Sequence, residues 1–124
     1  MIGQFVAVGA GAALGAWLRW GFAAWLNPKV PQYPLGTLAA NLLGGYLVGI
    51  AIAFFIARMD LAPEWRLFVV TGLLGGLTTF STFSAEVTEH LLRGGYGHAL
   101  VLAFAHLAGS LALTAAGFAT FRAL

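Results

Sequence analysis

The chain contains no cysteine, which excludes disulfides, thiolate metal sites and thiol catalysis. Charge is almost as scarce: 8% of its 124 residues are Asp, Glu, Lys or Arg, against roughly a quarter in a soluble domain. So few charges cannot cover the surface of a small globule. Long polar segments are missing too. The connections "NPKVPQYP" (27–34), "RMDLAPEWR" (58–66) and "EHLLRGGYGH" (89–98) are too short to fold into a soluble domain or to hold an active site outside a bilayer. No nucleophile–base pair stands at useful spacing, which disfavours an intramembrane enzyme.

What is present is apolar. Hydrophobic residues make up 60% of the chain, and the mean hydropathy is +0.90. Four uncharged runs dominate: Met1 to Leu18 (extendable to Leu26), Leu35 to Ala57, Leu67 to Ala85, and Ala99 to Phe121. Each approaches the ~20 residues that cross a ~30 Å hydrocarbon core. Backbone groups in lipid must be paired within their own segment, so these runs are helices. The expectation is an all-α membrane protein with one four-helix domain over residues 1–124 and a broken third helix. Its spans fall at roughly 2–26, 35–57, 65–90 and 98–122. The first run lacks a basic leader and a small-residue cleavage site, so it reads as a span and not as a signal peptide. Trp17, Trp20, Trp25, Trp65, Tyr33 and Tyr96 lie near span ends, where interfacial aromatics gather.

The basic residues do not choose a side. Arg58, Arg66 and Arg122 fall on the side of the N-terminus, and Arg19, Lys29 and Arg93 fall on the other. Orientation follows the Lys/Arg excess of cytoplasmic loops, and here there is none. Either a small chain balances by accident, or it inserts both ways and pairs head-to-tail about an axis in the membrane plane, the symmetry inverted repeats build within one chain. Gly11/Gly15, Gly45/Gly49 and Gly72/Gly76 have the four-residue spacing that lets helix backbones approach.

Polar residues inside spans are costly and usually face a partner or a cavity. Asn41 in the second span reads either as interhelical glue, worth about 1 kcal/mol, or as a pore group. His106, Ser110 and Thr114 follow one another at i, i+4 on one face of the fourth span. Lone hydroxyls often bond back to their own helix, but three polar residues in line read better as a wet stripe.

The greatest concentration of polarity is "GLLGGLTTFSTFSAEV" (72–87), with five hydroxyl residues between positions 78 and 84. Counted from Leu67, Gly75 lies about 12 Å deep, near the bilayer middle. The paired glycines are either a packing notch or a break, and a break at that depth needs surrounding protein or a cavity. If the helix breaks, carbonyls such as those of Gly75 and Thr78 are free for a cation. The second half-helix then offers its N-terminal N–H groups to an anion. On an ideal wheel Phe80 and Phe83 fall about 60° apart, opposite Thr78 and Thr82. Ring edges carry positive potential, so they attract a small anion without the full charge that would trap it. Hydroxyls and an amide supply hydrogen bonds in place of water.

"GGLTTFSTFS" (75–84), preceded by "GAALGAWLRW" (11–20) and "GTLAAN" (36–41) and followed by "HLAGSLALT" (106–114), closely resembles the dual-topology fluoride channels called Fluc or CrcB. The likeness runs through essentially the whole chain, in order and without large insertions. It implies an antiparallel homodimer in a bacterial inner membrane, with two fluoride pores and a central structural sodium ion. No organic cofactor and no nucleic-acid partner are implied. By that likeness, Gly75 and Thr78 offer backbone carbonyls to sodium, and Phe80 and Phe83 line the pores edge-on while Asn41 donates to the ion. Ser110 and Thr114, with Ser81, Thr82 and Ser84, form the polar track. Arg19 and His106 are assigned to the pore mouth, where Arg19 draws anions, braces a helix end or simply snorkels to the interface.

The rival reading is a small proton-coupled multidrug exporter of the four-helix, dual-topology type. That machinery needs a membrane-buried carboxylate. The first three spans carry none in their middles, and Glu86 and Glu89 lie toward the end of the third. A fluoride/proton exchanger has only His106 as a proton carrier, so passive conduction is preferred. A non-conducting assembly subunit leaves Asn41, Phe80 and Phe83 without a task.

Overall fold

The computed structural model describes residues 1–124 and contains helices and turns but no strands. Helix α1 runs Ile2–Leu26, followed by a 3-10 turn at Asn27–Lys29, and α2 runs Leu35–Ala57. The third span is composite. It comprises α3 (Pro63–Arg66), a π-helical stretch at Leu67–Leu74, α4 (Gly75–Leu77) and α5 (Phe80–Leu92). Helix α6, Tyr96–Ala123, closes the chain. Four stretches, Ile2–Lys29, Leu35–Ala57, Pro63–Leu92 and Tyr96–Ala123, are long and apolar enough to cross a membrane.

The helix starts follow local chemistry. Pro63 opens α3, where its missing N–H costs nothing. The first N–H groups of α2 have no partner within the helix, and Asn27 reaches across from the 3-10 turn to serve them. Its Oδ1 accepts from the N–H of Gly36 at 2.7 Å and of Thr37 at 3.4 Å.

Packing relies on glycine. Helix α2 lies along α6, and α1 lies along the π-helical stretch and α4. A Cβ on Gly49 would run into the carbonyl of Thr114, and one on Gly117 into the carbonyl of Tyr46. On the other seam, Gly11 and Gly15 stand against the backbone of residues 68–77, and Gly72 and Gly76 against α1. Lipid tails are as apolar as leucine, so helices in a bilayer associate through such close contact. Two side-chain bonds reinforce the first seam. Thr114 Oγ1 donates to the Gly45 carbonyl at 2.9 Å. Thr120 Oγ1 gives its proton to Ala116 O, so the 2.9 Å bond between Tyr46 and Thr120 is donated by Tyr46. Ala40, Ala51, Phe55, Leu74 and Leu77 form the small buried core between the seams. Most large apolar side chains point outward, as they do in a protein whose solvent is lipid.

The paired glycines at 75 and 76 are helical, with Gly75 at φ −64° and ψ −38°. The departure from helix comes later, at Thr78 (φ −88°, ψ 152°) and Thr79 (φ −150°, ψ 118°). Thr78 therefore lies outside the helix that carries Phe80 and Phe83. The single wheel placing Thr78 opposite the two rings does not apply; Thr82 alone of the two threonines shares their helix. The π-helical stretch was not legible either, since its residues, "LFVVTGLL", differ little from those of an ordinary apolar helix.

Candidate functional site

Two extended residues expose backbone groups that a helix would have paired, and Asn41 takes up one set. Its Oδ1 accepts from the N–H of Thr79 at 2.7 Å, and its Nδ2 donates to the Thr79 carbonyl at 3.0 Å. This reciprocal pair mimics one rung of a β-ladder and holds α2 to the extended segment. Because the Thr79 N–H is engaged there, it does not return to the carbonyl of Gly75 one turn back. Thr78 satisfies Leu74 twice, through its N–H at 3.0 Å and its hydroxyl at 2.8 Å.

Thr79 also starts α5. Its Oγ1 accepts from the N–H of Thr82 at 3.1 Å, an N-cap bond of the kind serine and threonine favour. The hydroxyls of Ser81 and Thr82 each lie 3.2 Å from the same oxygen. Thr79 is not among the site residues expected from the sequence. A threonine three residues before another, just ahead of a helical run, was the available signal.

The second proton of Asn41 Nδ2 points to His106 Nδ1 at 3.1 Å. An amide nitrogen only donates, so Nδ1 accepts and Nε2 carries the proton of the neutral imidazole. That Nε2 is buried without a protein partner. His106 is only 3% exposed, and its ring lies 4.5 Å from that of Phe83. The helical register of α6 carries it inward, beside Asn41.

Phe83 and Phe80 meet edge to face, 5.5 Å apart at 73°. Phe80 is 76% exposed on the surface of the single chain. Together with Asn41, Thr78, His106 and Ser110, the two rings line an open cavity of about 430 Å³ that also touches Gly75. Thr114, Ser81, Thr82, Ser84 and Arg19 do not line it. Thr114 is spent on the Gly45 carbonyl, Ser81 and Ser84 are exposed, and Arg19 donates from Nε to the Gly76 carbonyl at 3.0 Å. That bond makes Arg19 a brace on the last turn of α4.

One acid lies closer to this region than its sequence position suggested. Glu86 Oε2 accepts from the Thr37 hydroxyl at 2.7 Å, and its Oε1 is buried without a partner. Seven residues past Thr79, it returns to the face of α5 that meets the start of α2. No cluster of three His, Cys, Asp or Glu side chains is present that could hold a metal ion. What the chain offers a cation at this level is oxygen from backbone carbonyls, a hard donor set suited to a hard ion. Gly75 is exposed, and its carbonyl lacks the Thr79 N–H, so the donors fit such an ion.

Four apolar helices around an amide, hydroxyls and aromatic rings define a multi-pass membrane protein with a polar site far from either span end. The model of the family described as CrcB-like protein, Camphor Resistance (CrcB), matches residues 6–118, and the chain belongs to that family. Relatives named fluoride-specific ion channel FluC are similar over nearly their whole length. That of Cupriavidus taiwanensis is 61% identical over 120 residues, covering 97% of this chain and 95% of the relative. That of Thiobacillus denitrificans is 59% identical over 120 residues, covering 97% of each. That of Nitrosospira multiformis is 61% identical over 116 residues, covering 94% of this chain and 91% of the relative.

Proposed function

We propose that the chain is a fluoride channel that lets the anion leak out of the cytoplasm down its gradient. The observation that carries this reading is the junction of Asn41, Phe80 and Phe83 beside the extended Thr78–Thr79 segment. Conduction of a small hydrated anion needs donors that replace water and a weak positive field that does not hold the ion fast. Ring edges and hydroxyls supply that combination without a lysine or arginine in the cavity. The full-length similarity to proteins named for fluoride conduction supports the same assignment.

In this reading the functional unit is an antiparallel pair in the bacterial inner membrane. The even split of basic residues allows both insertions, and the exposed Phe80 belongs on a surface that a second copy covers. The third span is interrupted at mid-depth, where irregular backbone is tolerated only against protein or a cavity. The carbonyls of Gly75 and Thr78, doubled by the second copy, hold a structural sodium ion whose charge fixes the two segments to each other. Phe80 and Phe83 present their edges to fluoride, Asn41 fixes the backbone beside them, and Ser110 extends the polar wall. Arg19 braces α4 through Gly76. The exporter reading lacks a carboxylate in mid-span: Glu86 stands toward the end of the third span, with one oxygen bonded to Thr37.

Purified protein in liposomes loaded with potassium fluoride decides between these readings. With a potassium ionophore present, a fluoride electrode is expected to register rapid efflux, whereas chloride-loaded liposomes retain their anion. Equal chloride efflux would remove the selectivity, and no efflux from folded protein would remove the channel.

A further inference from the structure

Away from the cavity, at the far end of α5, two of the three histidines come together. We propose that His90 and His98 form a chelating site for a borderline divalent transition-metal ion of the Cu²⁺, Ni²⁺ or Zn²⁺ type.

The turn between α5 and α6 builds the site. Gly94, at φ +78°, takes the left-handed conformation that ends helices. The N–H of Gly95 returns to the carbonyl of His90 at 2.8 Å, and that of Gly94 to Leu91 at 3.1 Å. These are the paired bonds of a Schellman motif. The chain reverses within four residues, and α6 brings His98 back beside His90. The two rings lie 5.6 Å apart and within 16° of parallel. Gly95 lies beside both Nδ1 atoms: a Cβ there would lie 3.6 Å from His90 Nδ1 and 3.9 Å from His98 Nδ1. The missing side chain leaves room beside both nitrogens, into which the rings can turn to share an ion.

The protonation pattern of His90 suits a ligand. Its Nε2 lies 2.7 Å from the carbonyl of Gln32 in the connection between α1 and α2. A carbonyl oxygen only accepts, so Nε2 carries the proton and the Nδ1 of the neutral ring keeps its lone pair. Metal-binding imidazoles are commonly oriented by such an outer hydrogen bond to a carbonyl. The Tyr33 ring centroid lies 6.4 Å from that of His90 and 5.3 Å from that of His98, covering one side of the pair. Glu89 pairs with Arg93 at 3.7 Å, which offsets the nearby cationic charge. Two imidazoles are a partial ligand set, so water completes the coordination. Imidazole selects Cu²⁺, Ni²⁺ and Zn²⁺ over magnesium and calcium. A bound ion would clamp the first connection to the α5–α6 turn.

The test uses the untagged full-length chain in detergent. Titration calorimetry with Ni²⁺ is expected to show one saturable ion per chain. His90→Gln and His98→Gln, each checked by circular dichroism, are each expected to weaken binding at least about tenfold, the lower range even for an outer-sphere partner. Electron paramagnetic resonance of the wild-type chain with one equivalent of Cu²⁺ needs no variant and is expected to show coupling to two imidazole nitrogens. No saturable Ni²⁺ binding, a neutral effect of either substitution, or a single coupled nitrogen would overturn the chelate and leave the pair as ring packing.

Discussion

Along the seam of α2 and α6, Gly49 and Gly117 bring two backbones into contact, and every carbonyl there belongs to a regular helix. At Thr78 and Thr79 the backbone leaves the helix, and Asn41 supplies the hydrogen bonds that regular structure would have made. The first region excludes everything but protein. The second is held open by a side chain and walled by aromatic rings. Stability in the seam comes from the absence of side chains, whereas the junction depends on one amide placed correctly. A chain this short has little other interior, so the seam supplies the rigidity that lets the junction stay irregular.

Filling the seam should do the most damage. Gly49→Val places a branched side chain against the Thr114 carbonyl, where backbone and not a flexible side chain must give way. Overpacking in a well-packed interior costs about 1–3 kcal/mol or more. Equilibrium unfolding in mixed detergent is expected to show a loss at the top of that range, or no folded protein at all. Wild-type stability would mean that the helices are not in backbone contact.

Asn41→Leu tests the junction while preserving volume. It leaves the Thr79 N–H and carbonyl without their partner, at about 1–3 kcal/mol for an unsatisfied buried group. The expected result is a smaller loss of stability than for Gly49→Val, together with a large loss of fluoride efflux. Unchanged efflux would show that the amide is glue and nothing more.

The smallest effect is expected outside the membrane. Arg58 and Asp60 form an exposed ion pair at 3.0 Å. The hydrogen bond from Arg58 holds the Asp60 carboxyl below its usual range, and the same pairing raises the Arg58 guanidinium. A depressed carboxyl contributes stability above its ordinary value, about pH 3.9, and loses it as pH falls through the folded value. Exposed pairs are weak and salt-screened. Asp60→Asn should therefore leave the thermal midpoint at pH 7 nearly unchanged, and a clear drop would place this turn in the structural frame.

Four apolar runs and scarce charge were enough to indicate four membrane-crossing helices, because length and hydropathy alone decide that point. The family likeness was equally legible, since "GGLTTFSTFS" is long and distinctive. Less visible was where the backbone leaves the helix. The glycine pair drew attention to residues 75 and 76, yet these stay helical, and the extended residues are two threonines that an amide from another helix captures. Helix propensity is local, and the partner that overrides it lies 38 positions away. The surroundings of His106 are hidden for a similar reason: they depend on how α6 packs on α2. The Thr37–Glu86 bond joins two separate spans that sequence spacing cannot align.

The central claim is that the rings beside the extended segment meet the passing ion. Fluoride efflux from liposomes carrying Phe80→Ile or Phe83→Ile, each shown by gel filtration to keep its folded assembly, tests it most directly. Each is expected to fall at least about tenfold below wild type, the factor that about 1.4 kcal/mol represents. Wild-type efflux from both variants would contradict it.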